Sequence, residues 1–212
     1  MMAPQFEHAS CAFKSHYGLA TLHVYAFGPH EEDNILCIEV PRSSGRAVND
    51  GSTIVRVQSA CYTAEIFRST DCDCHEQLHA SLNKVFRDGG LVVYMICDGR
   101  GAGLLTKIRG LALGDRLGLD THDAYLQLGV PVDPRDYYRV ALVLKELGVQ
   151  RVQLLTNNPR KVDGLAAEGL DVDRVPLEIP PTEDSRPYLH TKQQKMGHLF
   201  GFVGLSDADA AS

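Results

Sequence analysis

Asp71-Cys72-Asp73-Cys74-His75-Glu76-Gln77-Leu78, continued through Leu82, Val85 and Phe86 to Arg87, halted at Asp88-Gly89-Gly90 and followed by Leu91-Val92-Val93-Tyr94-Met95-Ile96, is the stretch at which the chain changes style. Leu78, Leu82, Val85 and Phe86 fall on one helical face, so Glu76 to Arg87 reads as an amphipathic helix closed by the glycine pair. The near-continuous apolar run after it reads as a strand. Downstream, the same criteria predict helices over Leu104 to Leu117, Asp136 to Leu147 and Pro159 to Glu168, with strands over Val152 to Thr156 and Val172 to Ile179. Ser185 to His198 reads as a final helix with Pro187 in its first turn, the position that proline favours. Upstream, β-formers in His16 to Phe27 and Asn34 to Val40 flank the turn-prone Gly28 to Asp33 and predict an antiparallel pair. Ser52 to Gln58 is a third strand leading into the cysteine loop. Strands first and β-α alternation later give an α+β or mixed α/β single domain over 1–212, its sheet starting antiparallel with helices packed on it. Met1 to Ser10 and Ser206 to Ser212 read as frayed tails.

Composition narrows the function classes. The 212 residues are 44% hydrophobic and 23% charged, ordinary for a soluble globular protein. A formal charge of −6 argues against a general nucleic-acid binder, which needs a basic stripe to release counterions. A small anionic ligand needs only a local cluster of cations and backbone N–H groups. Apolar runs fall short of the ~18 residues of a membrane span, and the first 30 residues lack the order of a signal peptide. A cytoplasmic setting is expected, and there six cysteines are ligands or core fillers rather than disulfides.

Chemistry concentrates at Cys61, Cys72 and Cys74. The spacing Cys-x10-Cys-x-Cys supplies three thiolates and leaves one tetrahedral position open, as in a catalytic metal site. The competing reading is a closed structural site completed by His75, His79 or Cys97, or unrelated core cysteines. The helix that follows places its positive end beside these thiolates. The H-x-E and P-C-x-x-C elements of nucleobase deaminases are absent.

Three loops at strand-to-helix junctions complete the candidates. In Cys97-Asp98-Gly99-Arg100-Gly101-Ala102-Gly103, either the glycines simply turn the chain, or Asp98 accepts a purine edge and Arg100 clamps an oxygen. Pro131 to Asp136 presents Asp133 and Arg135 two residues apart, as a surface ion pair or a functional couple, with Asp136 as a helix-start acid. In Leu155 to Lys161, Asn157 or Asn158 caps a helix with Pro159 near its first position, and Thr156, Arg160 and Lys161 are placed to cradle a phosphate. His190 and His198 read as surface or packing residues, and Cys11 and Cys37 as buried core thiols.

Taken in order, Arg56-Val57-Gln58-Ser59-Ala60-Cys61, Asp71-Cys72-Asp73-Cys74, Asp98-Gly99-Arg100-Gly101, Lys107-Ile108-Arg109, Leu119-Asp120-Thr121, Leu154 to Lys161 and Lys195-Met196-Gly197-His198 resemble GTP cyclohydrolase II, the entry enzyme of riboflavin synthesis. The likeness runs from about Tyr17 to Phe200, and the length matches the stand-alone enzyme without a fused dihydroxybutanone phosphate synthase domain. The resemblance implies one Zn²⁺ per chain on Cys61, Cys72 and Cys74, Mg²⁺ with the triphosphate, and a homodimer. It implies nucleotide contacts from Arg56, Val57, Gln58, Ser59, Ala60, Gln77, Asp98, Gly99, Arg100, Thr121, Thr156 and Lys161. Asp133 falls on the family's proton acceptor and Arg135 on its nucleophile toward the α-phosphorus. A guanidinium stays protonated and offers no lone pair, so a phosphate clamp is the easier physical role for Arg135. The implied reaction adds water at C8 of guanine, opens the imidazole ring, frees formate and releases pyrophosphate.

The chain departs from that pattern around the base. Leu111 stands where the family has a tyrosine, Ala60 and Asp98 where it has glutamates, and Ile96-Cys97 where it has Arg-Gln. His75 replaces a glycine, and Thr63-Ala64 a Thr-Gly pair. The readings that follow are ring opening of GTP with release of formate and pyrophosphate, including a variant arrested at the formamide for want of the phenol; a divergent paralogue acting on another nucleobase, in pyrimidine catabolism or specialised metabolism; and a non-catalytic zinc-containing nucleotide-binding protein.

Overall fold

The structure, a computed structural model, describes residues 6–42 and 51–201. In chain order the strands are Glu7–Ser15 (β1), Gly18–Ala26 (β2), Asn34–Val40 (β3), Thr53–Ser59 (β4), Gly90–Met95 (β5), Arg151–Leu155 (β6) and Asp171–Val175 (β7). The helices are Tyr62–Glu65 (α1), Cys74–Asp88 (α2), Leu104–Leu117 (α3), Thr121–Gln127 (α4), Tyr138–Glu146 (α5), Pro159–Ala167 (α6) and Arg186–Met196 (α7). All seven strands form one mixed sheet in the order β1-β2-β3-β5-β4-β6-β7. The pairs β1/β2, β2/β3 and β3/β5 are antiparallel, and β5/β4, β4/β6 and β6/β7 parallel, giving the mixed α/β domain that the sequence predicts.

Helices cover both faces of the parallel half. On one face Val55, Val57, Leu91, Val93 and Leu154 pack against Val140, Ala141 and Leu144 of α5 and Leu165 of α6. On the other, Ile54, Val92 and Leu155 meet Leu78, Leu82 and Val85 of α2, the apolar stripe read from its periodicity. Strand pleating alternates side chains, so β4 sends Val55 and Val57 to the first face and Ile54, Arg56 and Gln58 to the second. Gly90 starts β5 at φ +138°, and a Cβ there would lie 2.4 Å from the Ile54 carbonyl oxygen, so the residue type sets how closely β5 begins beside β4.

The N-terminal expectation needs correction. Residues 7–10, assigned to a frayed tail, belong to β1, which pairs with β2 from Glu7↔Ala26 to Ser15↔Gly18. The strand carries little apolar alternation because most of its side chains are exposed; backbone bonds hold it. Cys11 lies on it and is exposed, whereas Cys37 is buried as expected. Ser206 to Ser212 lie outside the described residues. Downstream, β7 ends at Val175 because Pro176 has no N–H for the ladder, four residues short of the predicted Ile179. Beyond it, Asn157 replaces the ladder, donating from Nδ2 to the Leu177 carbonyl (2.7 Å) and accepting the Leu177 N–H (3.0 Å). The seven-residue α4 is too short to show a period, yet it carries a helix-start signal: Asp120 accepts the N–H groups of His122 and Asp123, both at 2.9 Å.

The chain runs from β4 out to β5 and then crosses back over β4 to reach β6. Strand order therefore reverses between β4 and β6, and a crevice opens beyond their carboxyl ends at such a point. The cysteine loop follows β4, the glycine-rich loop follows β5, and Thr156-Asn157-Asn158 follows β6, so all three converge there.

Candidate active site

A cavity of about 350 Å³ occupies this crevice. The cysteines on its wall reach it from two directions: Cys61 just beyond β4, Cys72 and Cys74 where the loop enters α2. Their sulfurs lie within 4.8 Å of one another, with Cys61 and Cys72 at 3.8 Å. Among the described residues no fourth His, Cys, Asp or Glu atom joins this cluster; His75, His79 and Cys97 stay outside it. The donor set suits zinc with an open position. The Cys61 thiol is pulled well below its ordinary range because it accepts hydrogen bonds from Cys72 and Cys74 and faces the Lys107 ammonium. The bond to Cys61 pushes Cys72 up to about 11, and Cys74 also rises, for the same reason and by burial.

Basic side chains outnumber acidic ones around the cavity. Arg56, Arg100, Lys107, Arg135, Lys161 and Lys192 all line it. Arg56 is clamped across the switch point: Nε and Nη2 donate to Gln58 Oε1 (3.0 and 2.7 Å), Nη2 to Gln77 Oε1 (2.7 Å) and Nη1 to the Leu155 carbonyl (2.9 Å). Burial lowers its pKa to about 10. Gln58 continues the network to Glu65 Oε1 (2.7 Å), and Gln77 to Asp73 Oδ2 (2.5 Å). Lys161 donates to the Val57 carbonyl across the strands (2.7 Å). Burial, then Arg56, Arg135 and Lys192, depress the Lys161 pKa, so an anion placed there relieves a crowded positive site. Lys192 lies over the Tyr188 ring at 4.2 Å and pairs with Asp73 at 3.4 Å.

Asp133 and Arg135 form a bidentate pair, Nε to Oδ1 and Nη2 to Oδ2 both at 2.7 Å, with side chains 2% and 9% exposed. Arg135 lines the main cavity and donates from Nη1 to Ser59 Oγ (3.1 Å). Asp133 borders a smaller adjoining cavity of about 250 Å³. Burial pushes the Asp133 carboxyl up, but the hydrogen bonds and charge of Arg135 together with the charge of Arg160 hold it below its usual range.

Other predicted contacts are placed as follows. Ser59, Ala60, Gln77, Gly99, Thr121, Thr156 and Lys161 line the cavity with Arg56, Gln58, Asp98 and Arg100. Val57 does not: its side chain is in the core on the opposite face, as strand alternation requires, and only its carbonyl points to Lys161. Asp98 is buried and already engaged, accepting from Tyr62 N (2.8 Å), Gly99 N (2.5 Å) and Lys107 Nζ (3.0 Å). Three protein donors thus take most of its roughly four acceptor sites and leave little of the carboxylate for a purine edge. Arg100, at φ +58°, stacks over Tyr125 at 4.3 Å and donates to the Thr121 carbonyl (3.0 Å). Among the described residues, two buried polar atoms of cavity-lining side chains, Thr121 Oγ1 and His198 Nδ1, have no hydrogen-bond partner.

His198 thus corrects its reading as a surface or packing residue. Gly197 takes the left-handed conformation and ends α7, so His198 leaves the helical face on which it was counted and turns into the cavity. Burial, then Lys192, Lys161 and Arg135, lower its pKa to about 3. Lys192 was missed too, although Leu189, Lys192 and Met196 share one helical stripe and a lysine inside such a stripe is a signal.

Comparison with known proteins bears on the family to which the chain belongs. A family model described as GTP cyclohydrolase II matches residues 7–176. The riboflavin biosynthesis protein RibBA of Bacillus cytotoxicus is 48% identical over 157 residues, covering 73% of this chain and 39% of that protein. RibBA of Bacillus mycoides is 46% identical over 170 residues, covering 79% and 41%. The chain thus spans about two fifths of the length of these curated relatives. A solved structure of RibBX, a two domain 3,4-dihydroxy-2-butanone 4-phosphate synthase from A. baumannii, aligns over 82% of this chain and 41% of that one at 18% identity, with a TM-score of 0.42 too low to bear on the fold.

Proposed function

The chain belongs to the GTP cyclohydrolase II family, and from that premise we propose that it is a zinc-dependent hydrolase that opens the imidazole ring of GTP, releasing formate and pyrophosphate. The observation that carries the reading is a three-thiol cluster, without a fourth protein donor among the described residues, on the wall of a cation-lined cavity. Cys61, Cys72 and Cys74 would hold the metal, which when bound supplies Lewis acidity for hydrolysis. Lys161, Lys192 and Arg135 converge to take the triphosphate, and Thr121 Oγ1 and His198 Nδ1 offer it polar partners. Arg56, with most of its N–H groups spent on the protein, acts mainly through its charge. Arg135 clamps phosphate, and Asp133 orients Arg135 rather than accepting a proton, since both of its oxygens hold the guanidinium. The family reading also carries Mg²⁺ with the triphosphate, a homodimer and a cytoplasmic setting; among the described residues no helix is long and apolar enough to cross a membrane.

Leu111 lies on the cavity wall one turn beyond Lys107, where the resemblance places a tyrosine, and the variant form of this proposal ends the reaction at the formamide stage for want of that phenol. A second reading, a different nucleobase, is favoured by the Asp98 carboxylate, buried and holding three protein donors, which leaves little acceptor capacity for the guanine donor edge. The test is incubation of zinc-loaded protein with GTP and a nucleotide panel in Mg²⁺, with chromatography of the products. Ring-opened GTP supports the proposal, and its formyl content shows where the reaction ends. Turnover of another base alone establishes the second reading. Tight binding without turnover of any nucleotide defeats both.

A further inference from the structure

The Lys107 ammonium is the group on the cavity wall that neither phosphate binding nor the thiol cluster by itself explains. It sits in the first turns of α3, 16% exposed, and each of its three N–H donors has a partner: Cys61 Sγ at 3.2 Å, Asp98 Oδ1 at 3.0 Å and Thr63 Oγ1 at 2.8 Å. Asp98 is anchored in turn by the N–H groups of Tyr62, next to Cys61, and of Gly99. Gly99 makes the approach possible: at φ +60° a Cβ would lie 3.3 Å from Lys107 Cβ and 3.2 Å from Tyr125 Oη. The glycine-rich loop and the cysteine loop are thereby joined through one ammonium. Three thiolates around a divalent ion carry a net negative charge, and an ammonium hydrogen-bonded to one sulfur offsets it and withdraws electron density from that sulfur.

We infer that Lys107 is a positioning residue of the thiolate set, donating an N–H···S hydrogen bond to Cys61, and that Asp98 serves it by holding the ammonium in place. The inference rests on the proposed metal reading, and the experiment separates the two. The full chain is loaded with Co²⁺, and metal uptake and the sulfur-to-cobalt charge-transfer band are recorded for wild type, Lys107→Met, Lys107→Arg and Asp98→Asn, with thermal melts as a check on folding. Lys107→Met takes up Co²⁺ but moves the band to longer wavelength, because the sulfur regains electron density. Lys107→Arg, which keeps an N–H donor, restores most of the shift, and Asp98→Asn moves it part of the way in the same direction. A stable, loaded Lys107→Met protein with an unshifted band overturns the inference and leaves the metal reading standing, because a purely structural Lys107–Asp98 ion pair would alter the melt and not the spectrum. Wild type that takes up no Co²⁺ overturns the metal reading and this inference together.

Discussion

Replacing Asp133 with asparagine distinguishes a proton acceptor from a residue that holds Arg135. The two 2.7 Å bonds join side chains less than 10% exposed, and Arg160 Nη1 lies 3.4 Å from the same carboxylate. Removing one partner of a buried pair leaves an uncompensated charge, at a cost of about 3–5 kcal/mol. Asparagine keeps an acceptor oxygen, which places the expected loss near the low end, about 3 kcal/mol. For a chain of this size each kcal/mol moves the melting temperature by about 2–4 °C, so the expected drop is about 6–12 °C. The pH dependence has a definite sign. The folded Asp133 carboxyl titrates below its unfolded value, so its contribution is fully present above pH ~4 and is lost as the pH falls through the folded pKa. The gap between wild type and variant in a thermal melt therefore narrows in acid. A variant melting within ~1 °C of wild type while losing nearly all turnover would refute the holding role and favour direct proton transfer.

Three further outcomes are expected. Cys72→Ser removes one of three clustered sulfurs and should strip most zinc and ring-opening activity together; full activity in metal-free protein, checked by elemental analysis, would contradict the metal assignment. Leu111→Tyr places a phenol on the cavity wall one turn from Lys107 and should raise formate release per ring opened, measured with a formate dehydrogenase assay; an unchanged ratio would remove Leu111 from the account. His198 is neutral in the fold, with a pKa lowered to about 3 against about 6.5 unfolded, so the unfolded chain takes up a proton first and stability falls as pH drops below ~6.5, by at most ~1.4 kcal/mol per unit. His198→Gln should flatten that slope in urea titrations between those two values, and an identical slope would show that the acid sensitivity lies elsewhere.

Regular elements with a strong period were legible in the sequence: α2 from Leu78, Leu82 and Val85, α3 end to end, and the apolar β5. β1 escaped notice because an exposed strand held by its backbone needs no alternation, and α4 because seven residues show little period. The thiol cluster was legible because ligand spacing is local. The surrounding shell was not, since it is assembled from distant segments. Lys107 reaches Cys61 across 46 positions and Lys192 reaches Asp73 across 119. Asp98 shows the limit most clearly: its residue type announces an acceptor, but only the fold reveals that most of its acceptor capacity is taken by the protein itself.

Asn157 meets the cavity wall, stitches the segment after β7 through Leu177, and gives its own carbonyl to the Leu199 N–H at 2.8 Å. One asparagine is thus a knot between the ligand chamber and two stretches of chain that share no sheet ladder. Slower amide exchange at Leu177 and Leu199 on adding nucleotide is the expected sign that this one residue ties the chamber to both stretches.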